Sequence, residues 1–206
     1  MRKIKTIKRP SLEYSYPFML VIFGAVGVLT SLILTIEKFH KLENPTAALN
    51  CDINPIISCG SVIVTDQASA FGIPNPLIGL AGFSAVVTIG VMMILGAKVI
   101  KRWFWQAVLA GTAFGVVFIH WLIFQTIFRI GALCPWCMVT WAVMIPLFLY
   151  TFIYVVDQGY LSLGKNTRKI VNTIKREHVW ILGGWFALIL AVIIQRFWYF
   201  WQTLLP

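Results

Sequence analysis

Five long apolar runs organise this chain: 17–36, 76–97, 103–128, 133–156 and 179–195, the last reaching toward Trp201. Each is at or near the roughly 20 residues that a helix needs to cross a hydrocarbon core. Lipid offers no partner to a free backbone N–H or C=O, so each run is predicted to be a helix and not a lone strand. Polar and turn-forming residues gather mainly in one connection, 37–75, which carries Asn44-Pro45, Asn54-Pro55, Ser58 and Gly60. Within it the stretch 67–73 is mildly amphipathic; a lid lying on the bilayer and an ordinary connector are both open readings. No internal repeat, low-complexity tract or soluble second domain is visible.

Composition agrees with lipid as the main solvent. Hydrophobic residues make up 59% of the 206 positions and charged residues 12%, against about a quarter charged in ordinary soluble domains. The expected class is an all-α integral membrane protein with five transmembrane helices. The basic start, Arg2, Lys3, Lys5, Lys8 and Arg9, resembles that of a signal peptide. The apolar run behind it is too long for one, however, and no small-residue cleavage site follows.

The net charge of +10 reads as topology, because the cations lie between the apolar runs. Assigned to alternating sides, the Lys and Arg residues divide 13 to 4. The positive-inside rule then places the N-terminus in the cytoplasm and the C-terminus outside. The cluster Lys165, Arg168, Lys169, Lys175 and Arg176 is read as a cytoplasmic linker facing anionic lipid. No aromatic stacking platform accompanies it, which argues against nucleic acid.

Four cysteines are the candidate chemistry: Cys51 and Cys59 as C-x7-C, Cys134 and Cys137 as C-P-W-C. The predicted topology puts both pairs on the outer side, where disulfides form and persist. Cys134-Pro135-Trp136-Cys137 opens the fourth run, and a thiolate at a helix N-terminus is favoured by the dipole and the free N–H groups. Cys137 is expected about one turn deeper, near a hydrophobic acceptor, with Cys134 facing the loop and water. A mobile dithiol opposite a fixed one supplies what thiol–disulfide exchange requires. Electrons would then pass from an external protein thiol to the loop pair, to the C-x-x-C, and to a lipid-soluble acceptor. Two structural disulfides stapling a non-enzymatic membrane protein would use the same residues. A four-cysteine zinc site fits less well, since C-x7-C is not a zinc-ribbon hairpin. Four cysteines allow three pairings, and an interloop Cys59–Cys134 bond stands beside the two local ones.

Taken together, the segments 51–59 (CDINPIISC), 71–79 (FGIPNPLIG) and 134–137 (CPWC) resemble the vitamin K epoxide reductase family, most closely its bacterial branch, over roughly residues 16–156. The resemblance implies a four-helix bundle around a quinone, capped by the outer loop. It implies that Cys137 meets the quinone, that Cys134 is its disulfide partner, that Cys59 reduces that bond and that Cys51 exchanges with a partner protein. Asn75 matches an amide that hydrogen-bonds a quinone oxygen, and Thr65 a hydroxyl near the loop cysteines. Trp141 stands where animal enzymes have a tyrosine bonding the other oxygen, which counts against vitamin K epoxide chemistry but not against quinone reduction. Many bacterial members carry a fused thioredoxin-like domain after the fifth helix, so the redox partner here is expected to be a separate thioredoxin-like protein.

The resulting expectation divides the chain into a basic N-terminus (1–15), the bundle (16–156) with its redox loop (37–75), a basic linker (157–178) and a fifth helix with tail (179–206). It reads the protein as a thiol oxidoreductase supporting disulfide formation in exported proteins, in a bacterial inner membrane with an extracytoplasmic site. The acceptor would be menaquinone, ubiquinone or phylloquinone, without a metal. Vitamin K epoxide or quinone reduction in an endomembrane is the alternative enzyme. Three further groups carry expectations: His120 a satisfied helix–helix hydrogen bond, Arg129 a snorkelling interface residue, and Gly111 with Gly115 an internal packing contact.

Overall fold

The computed structural model describes residues 12–97, 101–161 and 165–204. The basic cluster Arg2–Arg9 and Lys98 lie outside the described residues. Helix α1 (Leu12–Glu43) leads into an ordered loop holding α2 (Cys59–Ile63) and a 3₁₀ helix (Asp66–Ser69). Then follow α3 (Asn75–Ile94), α4 (Arg102–Phe124) with a π-helical end (Gln125–Ile130), α5 (Pro135–Asp157), α6 (Lys165–Arg196) and the short α7 (Trp198–Leu204). Among the described residues the fold is all-α, and five helices are long and apolar enough to cross a membrane.

The elements begin and end where the residues require. Pro76 and Pro135 sit in the first turns of α3 and α5, where the missing N–H costs nothing and the fixed φ suits a helix. Gly131, at φ 73°, donates its N–H to the Thr126 carbonyl and ends the π-helical segment. Helix α1 extends seven residues beyond the apolar run, to Glu43. These extra turns carry Lys38 and Lys41, whose ammonium groups donate to the carbonyls of Ile63 and Ala47, both at 2.6 Å. The connection is therefore shorter than the expected 37–75 and is braced by the end of α1. Residues 165–176 of the expected linker are helical, belonging to an α6 that kinks at Glu177 (φ −106°, ψ 16°).

Helix α1 packs along α3 and α5, and α4 along α5. The α1–α3 contact is close because Gly27 faces the Phe83 ring, where a Cβ would come within 2.3 Å. Gly115 accepts the Met144 side chain in the same way, giving the expected internal contact between α4 and α5, whereas Gly111 faces open space. At the end remote from the cysteines the core is aromatic: Tyr16 stacks on Tyr154 at 4.2 Å and bonds the Thr151 hydroxyl at 3.0 Å. By contrast α3 and α4 barely touch, which leaves one flank of the bundle open toward lipid.

Helix α6 lies outside the bundle and packs mainly on α5 and the π-helical turn. It is pinned at two depths. Lys175 pairs with Asp157, and the Trp185 indole donates to His120 Nε2 at 2.8 Å. Indole nitrogen only donates, so His120 carries its proton on Nδ1 and gives it to the Val116 carbonyl at 2.7 Å. Both ring nitrogens are satisfied, Nδ1 within α4 and Nε2 across the expected helix–helix contact.

Candidate functional site

The loop folds by local polar chemistry. Asn54 Oδ1 accepts the N–H groups of Ile56 (2.9 Å) and Ile57 (2.7 Å), a side-chain-closed turn of the kind asparagine favours. The reversal brings Cys51 to Cys59, and the two form a disulfide with Cα atoms 5.6 Å apart. Ser58 then N-caps α2, its hydroxyl oxygen accepting from Ser61 N–H at 3.1 Å.

Asp52 holds this hairpin together. Its carboxylate accepts from Leu49 N–H (3.0 Å), the Ser58 hydroxyl (2.7 Å) and Gly60 N–H (2.8 Å). Partial burial works to raise its pKa, but these donors and the Lys41 charge outweigh it and hold the carboxyl below its usual range. A Cβ on Gly60 would meet Asp52 Oδ2 at 2.7 Å, so the glycine is what lets the carboxylate reach the start of α2. Asp52 is not among the residues expected from the sequence; its position beside Cys51 in a turn-rich stretch is the signal that marks it.

A short parallel bridge between Ile57 and Leu133 joins the two cysteine segments. Ser58 N–H donates to the Leu133 carbonyl at 2.9 Å, and Leu133 N–H to the Ile56 carbonyl at 2.6 Å. The bridge brings the cysteines just beyond it together, Cys59 two residues after Ile57 and Cys134 one after Leu133: Cys134 Sγ lies 3.4 Å from Cys59 Sγ. Cys134 also N-caps α5, its sulfur accepting Cys137 N–H at 3.3 Å. Cys134 and Cys137 are free thiols.

Contrary to expectation, Cys134 does not face water. It is 1% exposed, in a cluster with Cys51, Cys59, Leu34, Leu49 and Ile63. The loop covers it. Its pKa is nevertheless depressed, first because the Cys137 thiol donates to it. Burial opposes this, the N–H groups of Cys137 and Trp136 reinforce it, and the Asp52 charge opposes it. The arrangement favours a thiolate at the sulfur that touches Cys59.

Below the cysteines lies a largely apolar cavity of about 680 Å³. Cys59, Cys134 and Cys137 line its upper end, with Thr65, Asn75 and Trp141 among its walls. It continues past Ile89 to Phe104; from Asn75 to Ile89 along α3 is about 21 Å at 1.5 Å per residue. Asn75 is engaged with the loop: Nδ2 donates to the Gln67 carbonyl at 2.7 Å, and Oδ1 accepts Ala70 N–H at 3.0 Å. One Nδ2 hydrogen is left over. The Thr65 hydroxyl donates to the Val62 carbonyl at 2.8 Å. Trp141 is buried, and its indole N–H has no partner among the described residues. Gln67 and Ala68, from the amphipathic stretch and its 3₁₀ helix, line the cavity as a lid would. Arg129 is exposed. Among the described residues no cluster of His, Cys, Asp or Glu is arranged to hold a metal.

A bundle of helices long and apolar enough to cross a membrane thus brings a disulfide, two thiols and an apolar cavity together at one end. The model of the vitamin K epoxide reductase family matches residues 18–152, from the start of α1 into the last turns of α5, and the chain belongs to that family. It is a membrane redox enzyme of that type. Helix α6 lies beyond the matched region.

Proposed function

We propose that this protein oxidises the dithiol of a thioredoxin-like partner outside the cytoplasm and delivers the electrons to a membrane quinone, supporting disulfide formation in exported proteins. The observation that carries the reading is the Cys134 sulfur, 3.4 Å from Cys59 of the Cys51–Cys59 disulfide, with Cys137 opening onto the cavity.

The exchange balances without an outside oxidant until the last step. The partner's two thiols reduce Cys51–Cys59, and the partner leaves as a disulfide. Cys59 thiolate attacks Cys134 of a Cys134–Cys137 disulfide and releases Cys137 thiolate. Cys51 thiolate then attacks Cys59, re-forming Cys51–Cys59 and releasing Cys134. The observed pairing is the product of that step. Closing Cys134–Cys137 again releases two electrons and two protons.

The cavity fits a quinone by its size, its apolar walls and its few uncommitted donors. Such a ligand, when bound, supplies a two-electron, two-proton acceptor. Asn75 and Trp141 would hold its oxygens. Trp141 offers an N–H where a phenol would stand, which suits orientation of a carbonyl. The excess of Lys and Arg on the side opposite the cysteines supports an extracytoplasmic site.

The test is stopped-flow absorbance of dithiol-reduced protein mixed with a short-chain quinone, wild type against Cys137→Ala. Rapid quinone reduction in the wild type and its loss in the variant are expected. If neither reduces quinone while all four wild-type cysteines titrate as thiols, the reading fails and structural staples become the better account.

A further inference from the structure

The hydroxyls that line the cavity are not equivalent. Thr65, Thr112, Thr126 and Thr140 each donate to a backbone carbonyl of their own or the preceding helical turn. Ser31 does not. It is 3% exposed, lines the cavity from α1, and its hydroxyl has no partner among the described residues. Its oxygen is not sealed inside the protein but opens onto this largely apolar cavity, so a ligand oxygen is the natural acceptor.

Two neighbours fix where that hydroxyl stands. The adjacent Thr30 Oγ1 lies 3.1 Å from Thr140 Oγ1, which places Ser31 near the level of Thr140, one turn past Cys137. Across the cavity wall is Gly79, where a Cβ would lie 2.5 Å from Ser31 Oγ; glycine leaves that space to the hydroxyl. Gly79 follows Asn75 by one turn of α3, about 6 Å along the axis. Asn75 and Ser31 thus mark two levels beside Cys137, one at the loop and one deeper; a carbonyl oxygen has two lone pairs, so the deeper quinone oxygen can accept from Ser31 as well as from the Trp141 indole.

We propose that Ser31 is a hydrogen-bond donor to the deeper carbonyl oxygen of the quinone and sets the ring's orientation beneath Cys137. This rests on the quinone reading above. Asn75 is tied to the loop on both amide atoms and so reports on the lid, while Ser31 belongs to the rigid α1–α3 wall.

The experiment uses full-length protein in lipid nanodiscs, oxidised at both cysteine pairs so that no turnover occurs. A short-chain naphthoquinone carrying ¹³C at its carbonyls is bound, and both carbonyl stretches and the equilibrium Kd are read. Ser31→Ala should move one carbonyl band to higher frequency and raise Kd about fivefold to tenfold, the usual scale for one hydrogen bond. Gly79→Ala should move the same band with the hydroxyl still present, because the added methyl displaces it. Reduction of Cys51–Cys59 by an external dithiol should be unchanged in both variants. If wild type binds and both variants leave bands and Kd unaltered, the Ser31 assignment is overturned and the quinone reading stands. If wild type itself binds no quinone, the quinone reading is overturned, and this assignment with it.

Discussion

Ser58 donates its backbone N–H to the carbonyl of Leu133 at 2.9 Å, and Leu133 N–H is taken in turn by the Ile56 carbonyl at 2.6 Å. This backbone pairing brings Cys59 and Cys134 together, within a shared buried cluster. Proline at 133 removes one donor and restricts the preceding residue. Leu133→Pro is therefore expected to slow the trapping of a Cys59–Cys134 bond at least tenfold in a Cys51→Ala, Cys137→Ala background. Leu133→Val, which keeps the N–H, should trap as the parent does. Non-reducing peptide mapping after mild oxidation reads the result.

The Asp52 carboxylate holds the hairpin from inside, so crowding it should loosen the loop without touching a sulfur. Gly60→Ala places a methyl 2.7 Å from Oδ2 and breaks the bond to the residue-60 N–H. The expected outcome is faster hydrogen exchange at the amides of Leu49 and residue 60, and a Cys51–Cys59 bond several times more readily reduced by an external dithiol. Asp52→Asn should act in the same direction more weakly, since an amide retains one acceptor oxygen.

The thiol at residue 134 gives a pH signature with a definite sign. Its folded pKa lies below that of a free thiol, chiefly through the Cys137 donor. Its ionisation therefore stabilises the fold fully above the unfolded thiol pKa, and the contribution fades as pH falls through the depressed folded value. Thiolate ultraviolet absorbance against pH, with Cys134→Ser as the blank, should show titration below the ordinary thiol range. Cys137→Ala should move that titration upward. Asp52→Asn should move it further down, because the Asp52 charge opposes the thiolate.

The helices were legible because lipid imposes one rule on every residue of a span: long apolar runs from 17 to 195 became α1, α3, α4, α5 and α6. The four cysteines stood out by their spacing, and Asn75, Thr65 and Trp141, which line the cavity, could be named only through the family resemblance. The geometry between motifs could not. Nothing near Leu133 marks it as half of a backbone bridge, because any non-proline residue can supply a peptide N–H and C=O. The burial of Cys134 was misjudged for a related reason: position in the chain places it at the start of a helix, but only the folded loop decides whether water reaches it. Ser31 went unremarked because one serine in an apolar run is ordinary until its neighbours are seen to have partners.

Helix α6 meets α4 chiefly where Trp185 donates to His120 Nε2 at 2.8 Å, with the rings 5.4 Å apart. On the far side of α4 lies the cavity, and α3 scarcely supports it. The pair is therefore placed to restrain the less supported wall of the cavity. Trp185→Phe keeps the ring and removes the donor, and His120→Leu removes the acceptor. Interhelical hydrogen bonds in membranes contribute about 0.6–1.7 kcal/mol, so the coupling energy from a double-mutant cycle on detergent unfolding should fall in that range. If α6 steadies α4, either single variant should also raise KM for quinone severalfold while leaving the external reduction of Cys51–Cys59 unchanged. A coupling near zero would mean that α6 is held by its α5 contacts and the Lys175–Asp157 pair alone. An unchanged KM beside a full coupling would confine the bond to stability.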